Sequence, residues 1–365
     1  MEIFMKIIKK KTYQLMKNKG KEMGKIKKKM LLIGFILCFI VTGGLTTYAG
    51  KAEYELIYSH TGNKAITTWW AAEEFKKRLE KYSRDRIEVD INPAGVMGSD
   101  VKVIELVRMG QIDICHTSAG NYASVGRALM PFNLPLLISG GPTKWYMLLT
   151  GEIRDDINAR FEKDGFKLLM LYHQGMTRDL MTSKKAIRKF EDGEGIKLRS
   201  VASPINQALL SSWGLNPTPI AWSESYTAIS QGVVNGIYVD PMSAEMSKIS
   251  ELIKYVTRPG GALLLSGAVM NLENYNKLPT ELRDAVDRAA SEAELWSYGI
   301  EQTLKGRAVK AMQAKGVEFI DLSPEDQAKY EKAARSIWED LIKKLNLDRE
   351  FIKKVVKAGN EISLD

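Results

Sequence analysis

Beyond residue 50 the chain alternates short runs in which every second residue is apolar with longer runs whose apolar residues fall three and four apart. The first pattern buries one face of a strand, the second one stripe of a helix. Glu53 to Ser59 reads as a strand, and Thr67 to Tyr82 as a helix with Ala72, Phe75, Leu79 and Tyr82 on one face. Arg86 to Ile91 alternates as a strand, and Asn92-Pro93-Ala94-Gly95 turns the chain. Ser99 or Asp100 caps a helix reaching Met109, and Ile112 to Cys115 forms the next strand. Strand, helix, strand, helix, strand is the rhythm of a wound α/β domain with parallel pairing.

Pro131 to Pro135 make a loop before a long helix, roughly Thr143 to Lys163, and a strand from Phe166 to Tyr172. Beyond Gly175 a second group begins with the extended run Met176 to Thr182, which sets Met176, Arg178, Leu180 and Thr182 on one face. After the polar turn Glu191 to Gly195, a short strand from Ile196 to Ser200 carries Arg199 to its carboxyl end. Ser203 is placed to cap the following helix, Pro204 has its φ preset for the first helical position, and Gly214 supplies the stop. A helix over Ser223 to Gln231 and a strand around Ile237 follow. The apolar run Gly261 to Val269 suits a strand that recrosses between domains. From Pro279 onward the pattern is helical, with a break near Gly316 and a cap at Ser323 before Pro324.

Charge changes the picture at one end only. The net charge of +9 could suggest a nucleic-acid partner, but residues 1 to 29 hold eleven of the 53 basic and two of the 44 acidic side chains. That leaves 42 of each sign elsewhere, so the body of the protein is neutral and lacks a nucleic-acid footprint. Lysines up to Lys29, an apolar stretch from Met30 to Val41, and Thr47-Tyr48-Ala49 before Gly50 follow the order of a secretory signal peptide over residues 1–49, which predicts a periplasmic mature protein. An uncleaved anchor is the alternative; Thr42-Gly43-Gly44 and the short apolar core weigh against it. A start at Met23 would give a signal of more ordinary length. Removal of the signal takes Cys38 with it and leaves Cys115 alone, read as a small core residue and unable to form an intrachain disulfide.

Arg199 is the principal candidate for chemistry. It stands at a strand-to-helix corner, and in open α/β sheets such corners line the crevice where ligands sit. Its guanidinium presents a planar fork that matches a carboxylate in two bonds and keeps its charge near neutral pH. Catalysis finds little support: His60, His116 and His173 are isolated with no metal-ligand spacing, and neither a Gly-x-Ser-x-Gly elbow nor a Walker loop is present. No enzyme activity, cofactor or metal is expected.

The stretches Asn92-Pro93-Ala94-Gly95-Val96-Met97-Gly98, Gly110-Gln111-Ile112-Asp113, Asn133-Leu134-Pro135 and Gly195-Ile196-Lys197-Leu198-Arg199 occur in order along the chain. Asn216 to Glu224, Tyr226-Thr227-Ala228 and Gln231 to Gly236 follow them. In this order the chain, from about Glu53 to about Leu345, resembles a solute-binding protein of the TRAP (tripartite ATP-independent periplasmic) transporters, DctP type. The resemblance implies a two-lobe periplasmic-binding-protein-like α/β fold, with mixed sheets, crossing strands and a long connecting helix. Lobe I would take residues 50–175 and about 264–303; lobe II would take 176–263 and about 304–365.

The implied role is hinge closure on a small organic acid and its delivery, by a monomeric receptor, to membrane permease subunits of the TRAP type. A receptor presenting its closed form to a sensor kinase and a secreted two-lobe enzyme are the alternative readings. The family's carboxylate-binding arginine matches Arg199. A second ligand-contacting arginine matches Arg178, nine residues before Ile187, and the aromatic residue after Pro-x-Ala matches Trp222. Ser118 to Gly120 matches a loop that faces the cleft, giving Ser118 and Gly120 as contacts. Trp70, Tyr238 and Asp240 complete the expected lining. One stretch departs from the family: an ungapped match puts Val239 where members often carry a ligand-touching Asn, and a one-residue shift puts Asp240 there.

Overall fold

The computed structural model describes residues 52–123, 127–172 and 177–362. The expected signal peptide, His173 and Met176 lie outside them. In chain order the strands are β1 (Tyr54–His60), β2 (Ile87–Asn92), β3 (Ile114–Ser118), β4 (Phe166–Tyr172), β5 (Asp179–Thr182), β6 (Lys197–Ser200), β7 (Asn216–Pro219), β8 (Gly236–Val239), β9 (Tyr255–Thr257), β10 (Ser266–Asn271) and β11 (Glu318–Ile320). The helices are α1 (Thr67–Tyr82), α2 (Asp100–Arg108), α3 (Pro142–Leu148), α4 (Glu152–Lys163), α5 (Pro204–Ser212), α6 (Ser225–Ser230), α7 (Pro241–Met246), α8 (Leu272–Lys277), α9 (Thr280–Ala314), α10 (Pro324–Ser336), α11 (Trp338–Lys344) and α12 (Arg349–Glu361).

The strands form two mixed sheets, one in the order β2-β1-β3-β10-β4 and the other β11-β9-β5-β8-β6-β7. In the first, β1 lies parallel to β2 and β3, while β10 runs antiparallel to β3 and β4. In the second, β6 is parallel to β7 and β8, and β5 is antiparallel to β8 and β9. The late strand β10 thus sits in the sheet built from the early part of the chain, and β11 in the other, so the chain crosses between two α/β lobes as the fold class requires.

The crossing is made by two antiparallel segments. The Arg178 N–H donates to the Ala262 carbonyl at 3.0 Å, and Thr177 bridges Leu263. Residues 261–265 are therefore not part of β10, which begins only at Ser266, later than the apolar pattern suggests. Gly261 explains part of this: a Cβ there would lie 2.4 Å from the Tyr238 hydroxyl and 2.7 Å from Trp213, so the segment threads past side chains where β-branched residues would clash.

The helix expected over 143–163 is two helices, α3 and α4, separated at Gly151, whose φ of 78° belongs to the left-handed region and interrupts the ladder. The long helix of the fold is α9, 35 residues. It packs Leu282, Val286, Ala289 and Ala293 with α1 residues Ala72, Phe75 and Leu79 in one core, and Met312 with Ile237 and Val256 of the second sheet in another. One rod is therefore held in the hydrophobic interiors of both lobes. The last two helices lie with the first lobe, Leu341, Ile342, Phe351 and Val355 sharing a cluster with Val103, Phe161 and Phe166. Of the described helices after α9, α10 is the one that joins the second lobe, through Tyr330 and Ala334 beside Leu209 and Trp213. Residues after about 337 thus pack on the first sheet rather than the second.

The local signals around Arg199 act as expected. Ser203 accepts the Asn206 N–H at 3.3 Å, Pro204 opens α5, and Gly214 takes a φ of 77° at the stop. Cys115 is buried in β3 with no disulfide partner.

Candidate ligand-binding site

The carboxyl ends of parallel strands from both sheets meet at one cavity. Thr61 and Gly62 follow β1, Ser118 ends β3, Arg199 and Val201 lie at the end of β6, and Val239 ends β8; all of them line it. The cavity has a volume of about 60 Å³.

Arg199 reaches this cavity from β6, held between Thr218 of β7 and Ile237 of β8. Its Nε donates to the Ile220 carbonyl at 2.9 Å, and its guanidinium carbon lies 5.5 Å from the Trp222 ring centroid. Only 2% of the residue is exposed. Burial pulls its pKa down to about 10, with Asp100 opposing and Arg178 adding to the fall, so it stays charged at neutral pH.

Arg178 enters from the crossing segment and is 1% exposed. Its Nη2 donates to Ser118 Oγ at 3.0 Å, which ties the second crossing point to the end of β3, and its Nε has no partner among the described residues. Burial lowers its pKa, against the pull of Tyr238 and Asp240.

Asp100 supplies the opposing charge. It is the first residue of α2 rather than its cap, and it is buried. Its Oδ1 accepts from the hydroxyls of Thr61 (2.9 Å) and Thr117 (2.7 Å), and its Oδ2 accepts the Trp222 backbone N–H at 3.2 Å. A single carboxylate thus fastens the first lobe to the loop after β7.

Arg199, Arg178, Trp222 and Ser118 therefore all line this cavity. The other four expected residues do not line it. Trp70 lies half-buried on α1 and donates through Nε1 to the Lys64 carbonyl at 3.1 Å, while its neighbour Trp69 turns inward against His60. Tyr238 faces the core, its ring edge-on to Trp213 at 5.9 Å and its hydroxyl accepting the Ala262 N–H at 3.0 Å. Asp240 is fully buried and caps α7 by accepting the Ser243 N–H at 2.9 Å. Gly120 packs where the lobes touch: a Cβ there would stand 2.7 Å from Ser203 Cβ.

Thr61, Asp100, His116, Leu264 and Ser266, whose place here no sequence motif signals, also line the cavity. Two of the histidines, expected to be isolated, form a pair. Parallel pairing of β1 with β3 sets His60 opposite His116, and their rings stack with centroids 4.6 Å apart and planes 9° from parallel. Burial pushes the His60 pKa down to about 4 and that of His116 well below its ordinary value, leaving both neutral. A shared crevice at the ends of β1 and β3 was the available signal, since Thr61 and Ser118 both follow predicted strands. Among the described residues no group of histidine, cysteine, aspartate and glutamate could hold a metal ion.

Residues 58–345 match the model of a family described as bacterial extracellular solute-binding protein, family 7, also called DctP. The chain belongs to this family. Family 7 proteins are solute receptors of TRAP transporters, so this chain is a TRAP solute-binding protein whose relatives are receptors rather than enzymes, and the family is extracytoplasmic. The TRAP protein is 23% identical over 289 residues to the C4-dicarboxylate-binding periplasmic protein DctP of Rhodobacter capsulatus, covering 79% of this chain and 86% of that one. Its fold matches that of the sugar acid binding protein of Advenella mimigardefordensis in complex with galactonate, with a TM-score of 0.80 at 21% identity over 85% of this chain and 98% of that one. It is also similar to a TRAP periplasmic solute-binding protein of Ralstonia eutropha with bound (S)-2-acetolactate, with a TM-score of 0.77 at 25% identity over 84% and 99% of the two chains.

Proposed function

We propose that this TRAP solute-binding protein captures a small organic acid at the cavity between its lobes and hands it to a cation-driven membrane permease. The observation that carries the reading is the convergence of two buried guanidiniums, Arg199 and Arg178, on a cavity whose wall holds one carboxylate, Asp100. Buried charges are costly unless paired, so the arrangement favours an anion that arrives with the ligand. Arg199 takes the carboxylate in two bonds, Trp222 walls it in, and Arg178 with Ser118 supports it from the crossing segment. Relatives bind acids as different as C4-dicarboxylates, galactonate and 2-acetolactate, which supports the carboxylate as the shared handle.

Closure would exclude water from this pair and strengthen it, giving the closed form the higher affinity that drives the motion. The lysine-rich leader supports export by a cleaved signal over residues 1–49, after which the mature protein acts as a monomer in the periplasm. Arg199, Arg178, Trp222 and Ser118 are the proposed ligand contacts. A thermal-shift screen with organic acids, neutral sugars and amines, followed by mass spectrometry of the recovered ligand, tests the reading. Stabilisation by an acid recovered intact supports it; stabilisation only by a neutral or cationic compound, or chemical conversion of the acid, contradicts it.

A further inference from the structure

We infer that the cavity holds a second subsite, formed by Thr68 and His116, which receives a hydroxyl group of the ligand and so makes that ligand a hydroxylated carboxylic acid. This inference rests on the organic-acid reading above and deepens it: the carboxylate is the common handle, and the new pair chooses among acids by what else they carry.

Three observations carry it. First, Thr68 Oγ1 and His116 Nδ1 are buried and have no hydrogen-bond partner among the described residues, and both side chains line the cavity. Thr68 is 0% exposed and His116 6%. Buried polar atoms are nearly always paired, so two orphans lining the same cavity point to a partner that arrives with the ligand. Among the described residues, Arg178 Nε is the one other buried lining atom in this state. Second, nearby lining hydroxyls are already engaged: Thr61 donates to Asp100, Ser118 accepts from Arg178, and Ser266 Oγ lies 3.2 Å from His116 Nε2 in a shared hydrogen bond. Third, the His116 ring is fixed. It stacks on His60 at 4.6 Å and meets Tyr172 edge-on at 5.3 Å, with Nε2 tied to Ser266. His60 also meets Trp69 edge-on at 5.6 Å, so the first turn of α1, which carries Thr68, and the strand β3, which carries His116, come together around one ring. Both belong to the first lobe, whereas Arg199 comes from the second sheet, so a ligand held at both places spans the cleft.

The chemistry of the pair selects a hydroxyl. Burial keeps His116 neutral, so one of its ring nitrogens carries a hydrogen and the other a lone pair. The Ser266 hydroxyl can donate to Nε2 or accept from it, which makes Nδ1 a donor in one tautomer and an acceptor in the other. The Thr68 hydroxyl likewise gives or takes. A ligand hydroxyl completes either arrangement, donating to one partner while accepting from the other. A ketone or a carboxylate only accepts, and is served by one tautomer alone. A methylene in the same place leaves both protein atoms unpaired, which is how a polar site rejects an analogue that lacks the hydroxyl.

Titration calorimetry of the purified protein with acids matched in carbon skeleton tests the inference: butanoate against 2-, 3- and 4-hydroxybutanoate, and hexanoate against gluconate, with succinate and 2-oxobutanoate as acids whose further oxygens only accept. The expected result is that the tightest-binding acid is a hydroxy acid, at least about tenfold tighter than its deoxy parent. That advantage should shrink to about threefold or less in Thr68→Val and in His116→Gln, whose amide can still reach Ser266, while the deoxy parent binds as before. Because the Thr68 hydroxyl has no partner among the described residues, Thr68→Val should leave the melting temperature of the ligand-free protein undiminished, which loss of a structural hydrogen bond would not. Should His116→Gln fail to fold, Thr68→Val decides alone. Arg199→Ala is titrated in parallel. A deoxy acid, succinate or 2-oxobutanoate binding tightest, or a hydroxy-acid advantage that survives either substitution, overturns the hydroxyl subsite, and leaves the organic-acid receptor intact where Arg199→Ala abolishes the binding. Binding of no acid in the panel, or binding unaffected by Arg199→Ala, overturns both.

Discussion

Asp100 of the first lobe accepts the backbone N–H of Trp222 in the second at 3.2 Å, and the same carboxylate takes the hydroxyls of Thr61 and Thr117. One side chain therefore joins the start of α2, the end of β1, the strand β3 and the loop that carries the aromatic wall beside Arg199. Removal of that carboxylate would strand two buried hydroxyls and an amide, and would free the lobes to part.

Arg199 itself loses a neighbouring negative charge in Asp100→Ala, but the larger effect is on closure. Such a variant is expected to bind the cognate acid more weakly by about 1–3 kcal/mol, roughly 5- to 150-fold, the ordinary cost of unsatisfied buried groups. Calorimetry would read the affinity, and small-angle scattering with saturating acid would show a larger fraction of open molecules. Unchanged affinity would mean that the Asp100 contact is incidental to closure.

Gly120 sets a steric limit on the same approach. A Cβ at this position would stand 2.7 Å from Ser203 Cβ and 3.0 Å from a Val201 methyl group. Gly120→Ala is therefore expected to prop the lobes apart and weaken ligand binding by about tenfold, with little change in the melting temperature of the ligand-free protein. Because the obstacle is the Ser203 side chain, Ser203→Gly in the same molecule should recover part of the loss; glycine at a helix cap costs only a few tenths of a kcal/mol. Equal binding by wild type and Gly120→Ala would show that the contact is not closed when ligand is held.

Glu301, in the middle of α9, is buried and accepts from Thr67 Oγ1 at 3.2 Å and Ser297 Oγ at 3.3 Å. Burial raises its pKa to about 8, and burial raises that of Asp179 to about 8 as well. A carboxyl whose folded pKa exceeds its unfolded value binds more protons folded than unfolded, so its contribution to stability is lost as pH rises toward the folded value. The buried histidines, neutral when folded but titrating near 6.5 when unfolded, oppose this slope near pH 6.5 and cease to by pH 8, equally in wild type and variant. Glu301→Gln keeps an acceptor oxygen and removes the proton. Denaturant unfolding is expected to show a fall in stability from pH 6.5 to 8 in the wild type that is shallower in the variant by up to about 1 kcal/mol per pH unit. Identical slopes would place the titration elsewhere.

The fold was legible where signals are local. The order of β1 to β3 with α1 and α2 follows from apolar periodicity, and the corner at Arg199 from Ser203, Pro204 and Gly214, each of which acts within three or four residues of its own position. What stayed hidden depends on register or on distant pairing. Tyr238 and Asp240 were expected in the cleft, yet the period of two along β8 gives the cavity Val239 and turns its neighbours away, and a pattern of letters does not reveal which face of a strand looks at a ligand. The same holds for Trp70, displaced from the interior by Trp69 one step along α1. His60 and His116 are 56 positions apart and meet only because β1 and β3 pair in parallel, and Asp100 looked like a helix cap until the sheet brought Thr61, Thr117 and Trp222 to it. The break between α3 and α4 hinges on one left-handed glycine inside a run otherwise suited to helix.

The central claim is that the Arg199 guanidinium holds the ligand's carboxylate. Its most direct measurement is titration calorimetry of the acid found in the thermal-shift screen against the wild type, Arg199→Lys and Arg199→Ala. The lysine variant keeps a charge but loses the two-pronged fork, so it should bind with intermediate affinity; the alanine variant should lose about 2–5 kcal/mol of binding, roughly 30- to 5,000-fold. An alanine variant that binds the acid as tightly as the wild type would contradict the account.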